Sequence, residues 1–289
     1  MRVTSNILAR NLLHNIESKA VRVMTLQDQL ASGRRIQRPS QDPSGTVSAM
    51  RLGTALVEID QYLKNLTDAR GWLDAAEHAL FGTINALHRA SELAVQGATG
   101  SLTASDRQAL AVEVDQLLLA VMDLANTRHG DNYLFSGHRT DIKPFPSPES
   151  YQGDQGAILR DVGPGAVMLQ VNISGDRAFG ASLAALAGLA ERLRTNDTVG
   201  IQESLGHVQA ALDSTLARLA DVGGRMQRAE FLETRLHEVK TGVAAVRTNM
   251  VDVDMAEVLV HLRAQEAAYQ AALGAGARFL SLSLLDYLR

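Results

Sequence analysis

Asp252 and Asp254 stand two residues apart near the C-terminal end, a spacing that could serve metal binding or acid–base work. Carboxylates at a helix start are also favoured by the helix dipole, and that role accounts for the pair without catalysis. The 8 histidines include no HExxH and no i, i+4 pair, and His129 and His138 flank a turn with no acidic residues in ligand spacing. Gly274-Ala275-Gly276 has the look of a dinucleotide loop, but it follows a helical seam and lacks both a preceding strand and a third glycine in register, so it reads as a helix interruption. Asn65-Leu66-Thr67, Asn172-Ile173-Ser174 and Asn196-Asp197-Thr198 match a glycosylation pattern short enough to arise by chance. With Cys 0 there is no thiolate nucleophile, thiolate metal site or disulfide. These residues define no catalytic, cofactor or metal site, and the chain reads as a non-enzyme with no cofactor.

The remaining sequence is built for long helices. Only 4% of its 289 residues are aromatic, and Leu, Ala and Val carry the apolar content, as expected of aliphatic helical seams. A formal charge of −4 offers no concentrated basic surface for nucleic acid. The uncharged stretch 178–190 falls short of the ~20 apolar residues that span a bilayer, so no membrane partner is expected. The first twenty residues interleave Leu8, Leu12, Leu13 and Ile16 with Arg10, His14 and Glu17, which leaves no apolar core of a signal peptide.

The prolines at 39, 43, 144, 146, 148 and 164 leave long intervals free to be helical. In the first, Ile16, Val23 and Leu30 recur every seven residues, and Ala31-Ser32-Gly33 with the proline-bounded loop 38–45 ends the helix in a hinge. Leu52, Ile59, Leu66, Leu73, Leu80 and Leu87 then keep strict seven-residue spacing. That helix, over about 50 to 95, would be roughly 65 Å long at ~1.5 Å per residue. Thr103 or Ser105 caps the next helix, whose seam runs Leu110, Val114, Leu117, Val121 and Leu124 and should lie antiparallel to the previous one. Between Gly137 and Gly180 the texture changes, and the alternation of Val167, Leu169, Val171 and Ile173 with polar neighbours predicts a strand with one buried face after a turn at 161–165. Helical periodicity returns at Leu183 and continues to Leu280, with a slip in register beyond Gly223-Gly224.

Gln29-Leu30-Ala31-Ser32-Gly33-Arg34-Arg35-Ile36 after an amphipathic start, Asp42-Pro43-Ser44-Gly45, Glu92-Leu93-Ala94-Val95-Gln96 and Asp106-Arg107 follow one another in the order found in bacterial flagellins. Asn132-Tyr133-Leu134-Phe135-Ser136-Gly137, Tyr151-Gln152-Gly153-Asp154, the stretch 251–257 and the ending 283–288 resemble more closely the branch of that family that forms the hook-filament junction. The resemblance covers residues 1–137 and 181–289 and leaves the β insertion as the variable part.

The expected fold is mainly α, a long antiparallel coiled-coil-like helical rod built from both chain ends, with a small central β-rich insertion. Its expected domains are residues 1–45 with 250–289 for terminal assembly, 46–137 with 181–249 for the rod, and 138–180 for the β insertion. A single amphipathic helix is marginal in water, so the two termini should pair and neighbouring copies should bury what remains exposed. The residues expected at that assembly interface are Leu8, Leu12, Ile16, Val23, Leu26, Leu30, Val258, Leu262, Tyr269, Leu273, Leu280 and Leu285. The resemblance implies a secreted, extracellular structural subunit of the flagellum with type III export, partnered by copies of itself in a ring or tube. A second hook-associated junction protein, filament flagellin and a cytosolic export chaperone are its other implied partners. The rival readings are filament flagellin itself and a secreted coiled-coil adhesin or effector whose β insertion would be the binding head.

Overall fold

The computed structural model describes the backbone of residues 2–287 and the side chains of Ile7 and of residues 10–278. Among the described residues the order is α1 (Arg2–Ser32), α2 (Pro43–Gly97), α3 (Ala104–Ala125), β1 (Arg128–His129), β2 (Asn132–Tyr133), β3 (Leu159–Asp161), β4 (Met168–Gln170), α4 (Gly175–Arg194), α5 (Thr198–Val251) and α6 (Met255–Tyr287). The fold is therefore mainly α with two small antiparallel ribbons, the class the sequence predicts. The chain divides into two compact units, a terminal one of Met1–Val57 with Val239–Arg289 and a central one of Glu58–Glu238.

In the central unit the seven-residue seam of α2 becomes core. Leu66, Leu73, Leu80 and Leu87 are fully buried: α3 lies along the later part of the seam, and α5 and the β segment lie along the earlier part. Arg89 on α2 reaches Glu113 on α3 at 2.7 Å, and Leu124 on α3 lies against Gly82, which fixes the two helices as antiparallel. Arg70 on α2 meets Glu233 on α5 at 2.6 Å. Helix α4 packs on α3, and its Ser182 hydroxyl lies 3.2 Å from that of Thr215 on α5.

The helix junctions are closed by side chains. Thr103 caps α3 through a reciprocal box: its hydroxyl accepts from the Asp106 N–H at 3.2 Å while the Asp106 carboxylate accepts from the Thr103 N–H at 2.9 Å. Arg107, only 4% exposed, donates to the carbonyls of Gly97 and Thr99 at 2.8 Å each and to the Asn196 side chain at 2.6 Å. One guanidinium thus satisfies the open C-terminal end of α2 and ties it to the turn between α4 and α5.

The β segment is smaller than the alternation predicts. Leu169, Val171 and Ile173 are buried as expected, but the paired strand is only Met168–Gln170, facing Leu159–Asp161. Beyond it the Asn172 side chain takes over from the backbone, accepting from the Ile158 N–H at 2.7 Å and donating to the Gly156 carbonyl at 2.8 Å. Side-chain bonds there satisfy the same backbone groups that a longer ladder would.

Candidate assembly surface

The terminal unit is organised around α1 and α6, which pack on each other. Their contact is antiparallel: Leu12 and Ile16 lie against Gly276, while Leu26 shares a cleft with His261 and Gln265. A Cβ added at Gly276 would come within 3.2 Å of Leu12 and 3.4 Å of Ile16, so the glycine permits the close approach. The 274–276 stretch therefore does not interrupt the helix as its glycines suggest; α6 runs through it from Met255 to Tyr287. Packing against α1 overrides a local propensity cost of about 1 kcal/mol per glycine.

Val258 and Leu262 are the apolar side chains with Cβ that this unit buries among the described residues. Leu12, Ile16, Val23, Leu26, Leu30 and Tyr269 are half-buried, and Leu273 is 43% exposed. The side chains of Leu8, Leu280 and Leu285 lie outside the described residues. The structure thus brings Leu12, Ile16 and Leu26 to the α1–α6 contact, and leaves Leu273 on its flank.

A second apolar flank escaped the sequence reading. Leu13, Val21 and Met24 on α1 are 58%, 62% and 64% exposed. At 3.6 residues per turn they sit roughly 120° around the helix from the Leu12–Ile16–Val23–Leu30 stripe. On α6, Val260 is exposed off the seam as well, and Met255 and Leu259, which the apolar spacing puts on the closing seam, are exposed too. The signal was present as apolar residues off the main seam, which periodicity counts as noise.

Where the helices of this unit begin and end, polar contacts are specific. Gly33, at φ +67°, closes α1, its N–H bonding the Gln29 carbonyl at 2.8 Å, the glycine cap the sequence predicts. Asp42 stands before Pro43 as the cap of α2, its carboxylate accepting from the Gly45 N–H at 2.8 Å and from the Ser44 hydroxyl at 3.0 Å. Those two bonds, with the Arg35 charge, hold its pKa below the ordinary carboxylate value. Asp254 caps α6 through the Ala256 and Glu257 N–H groups at 2.9 and 3.3 Å. The 251–254 stretch also pairs with 33–35, where the Arg35 N–H reaches the Val251 carbonyl at 2.7 Å and the Val253 N–H reaches Gly33 at 3.1 Å.

The two motifs flanking the loop of the central unit are likewise joined. The Tyr151 hydroxyl lies 2.9 Å from the Phe135 carbonyl and 2.8 Å from that of Asp154. The Asp154 carboxylate accepts from the His138 and Gly156 N–H groups. Gly137, at φ +71°, sits so close to Asp154 that no Cβ fits there.

The terminal unit is thus a helix pair with exposed apolar flanks, and the central unit is helical with a small β segment. Residues 3–140 match the family model of the bacterial flagellin N-terminal helical region. That match takes in just under half of the chain and shows its similarity to the bacterial flagellins, structural proteins of the flagellum. It is 23% identical to flagellar hook-associated protein 3 of Salmonella typhimurium over 300 residues, 94% of each chain. Flagellin FlaB1 of Treponema pallidum is 26% identical over 266 residues, 91% of each chain. Among solved structures, FlgL of Bacillus cereus is 25% identical and aligns over 68% of this chain and 99% of its own with a TM-score of 0.63. The flagellar junction protein FlgL of Legionella pneumophila, 17% identical, shares the fold over 71% of this chain and 99% of its own with a TM-score of 0.60.

Proposed function

We propose that this chain is the structural subunit that connects hook to filament in the bacterial flagellum, assembling through its terminal unit. The observation that carries the reading is the incomplete burial of α1 and α6: paired with each other, they still present Leu13, Val21, Met24, Leu259 and Val260 to solvent. Apolar flanks of this kind mark a contact surface. Copies meeting head to tail through two different flanks build a ring or tube, whereas a two-fold contact would stop at a dimer. The seam residues Leu12, Ile16, Val23, Leu26, Leu30, Val258, Leu262, Tyr269 and Leu273 order the pair, and the second flank meets the neighbouring copy.

The chain's place is outside the cell after export, between a second hook-associated protein and the first filament flagellins, with a cytosolic chaperone covering the C-terminal helix beforehand. Two helices that bury so little are conditionally stable, so folding of the termini is completed on assembly. Amide protection of α1 and α6 in the free monomer as strong as that of the central helices would contradict that last point.

The test is a strain lacking the gene. Hooks without filaments, with flagellin released as monomer, are the expected result; normal filaments would overturn the reading. Similarity to filament flagellins at comparable identity keeps one alternative open to the same approach: a filament subunit would polymerise into long filaments when purified, and this chain is expected not to.

A further inference from the structure

The Arg35 side chain joins two helix ends of the terminal unit, and the backbone around it touches two more. The Arg35 guanidinium donates to the Met250 carbonyl through Nε at 3.1 Å and Nη2 at 2.8 Å, and the same Nη2 stands 3.5 Å from the Asp42 carboxylate. Met250 lies in the last turn of α5, whose carbonyls have no intrahelical partners and carry the negative end of the helix dipole. Asp42 is the cap of α2. The Arg35 backbone completes the set: its N–H bonds Val251, and its carbonyl accepts from Gln29 of α1 at 3.2 Å. The neighbouring Val253 N–H, just before α6, bonds Gly33.

We infer that Arg35 is the positioning residue of the terminal unit, a latch that fixes the α1–α6 pair to the adjoining ends of α2 and α5 without contributing to the pairing itself. The pairing rests on other groups, on Val258, Leu262 and the approach at Gly276. With the latch closed, the apolar flanks of α1 and α6 are held at one angle to the stems from which they grow. An assembly that repeats one contact many times needs that angle to be the same in every copy. A lysine cannot replace the arginine, because a single ammonium cannot place two N–H groups on Met250 while facing Asp42.

The inference gives a meaning in assembly to a surface whose role rests on the proposed function, but its physical test does not. Arg35→Ala and Arg35→Lys are compared with wild type by amide hydrogen exchange of the full chain, with fluorescence of the sole tryptophan, Trp72, reporting that the central unit is folded. Both variants are expected to exchange roughly tenfold faster over 33–36 and 251–254 while α1 and α6 keep their wild-type rates. Unchanged exchange in those links, rescue by lysine, or equal acceleration along α1 and α6 would each overturn the latch.

Complementation of the deletion strain then reads the consequence. Arg35→Ala, exported in wild-type amounts, should retain fewer filaments than the wild-type gene, and full restoration would remove the role in assembly. If the wild-type gene itself restored no filaments, the junction reading would fail, while the exchange rates would still decide the latch.

Discussion

In the central unit Leu66, Leu73, Leu80 and Leu87 recur every seven residues and are fully buried; in the terminal unit Ile16, Val23 and Leu30 recur at the same spacing and remain half-exposed. The difference lies in the number of partners. The α2 seam is flanked by α3, α5 and the β segment, whereas α1 has α6 alongside it. Heptad spacing specifies that a helix has a seam; the surrounding elements decide whether the seam becomes a finished core or an unfinished surface. One sequence pattern thus yields a closed seam in the central unit and a half-exposed one in the terminal unit.

The sharpest way to break this contrast is at Arg107. Replacing it with alanine removes three charge-assisted hydrogen bonds and leaves the buried Gly97 carbonyl, and the more exposed one of Thr99, without them. The cost should be about 3 kcal/mol of global stability, read as a lower urea midpoint by Trp72 fluorescence. An unchanged midpoint would mean that the helix turns of the central unit do not support its core.

Gly276→Leu probes the other side. The new side chain collides with Leu12 and Ile16, and overpacking of this sort typically costs about 1–3 kcal/mol. Here it should appear as lost amide protection in α1 and α6 with the Trp72 transition unmoved. If both units lost stability together, they would be one cooperative body and the contrast would dissolve.

How much of this could be read beforehand follows from the range of each interaction. The α2 seam, the Gly33 cap and the Thr103 cap rest on residues within a few positions of one another, and each is visible as a pattern. The Arg35 contact with Met250 joins residues 215 positions apart, and nothing in the pair Arg34-Arg35 distinguishes it from a solvated basic turn. Gly276 misled for the same reason: the chain shows the propensity cost of a glycine, while the compensating contact sits on the opposite end of the sequence. Alternation from Val167 to Ile173 identified the buried face correctly, but the strand's length was set by its partner, which offers only Leu159–Asp161.

A smaller effect is expected where the two loop motifs meet. Burial raises the pKa of Tyr151 to about 12 from the ordinary 10.0, against the lowering effect of a backbone hydrogen bond from Gly175. The folded state therefore holds the phenol proton more tightly than the unfolded chain. Its contribution is complete below pH 10 and fades as pH rises towards 12. Tyr151→Phe should lose about 1 kcal/mol at neutral pH by giving up the hydroxyl contacts, and should lack the alkaline slope that wild type shows in urea melts.

The finest comparison sets one cap in each unit against the other. Thr103→Ala opens the capping box of α3, a helix packed on α4 inside the central unit, and should lower the Trp72 midpoint by about 1 kcal/mol. Asp42 caps α2 within the terminal unit, where the first turn has no enclosing core. Its carboxylate is kept below the ordinary 3.8 mainly by the Gly45 N–H, so its stabilising effect is present above that pH and is lost as pH falls through the lowered value. Acid titration followed at the Gly45 amide by NMR should show the α2 start fraying there. The Asp42→Asn variant retains a capping oxygen but no charge, and should not titrate at this site. Fraying that left α3 intact would place the two caps in separately stable structures. A single acid transition shared by Gly45 and the α3 amides would show instead that the unfinished surface of the terminal unit is held by the finished core.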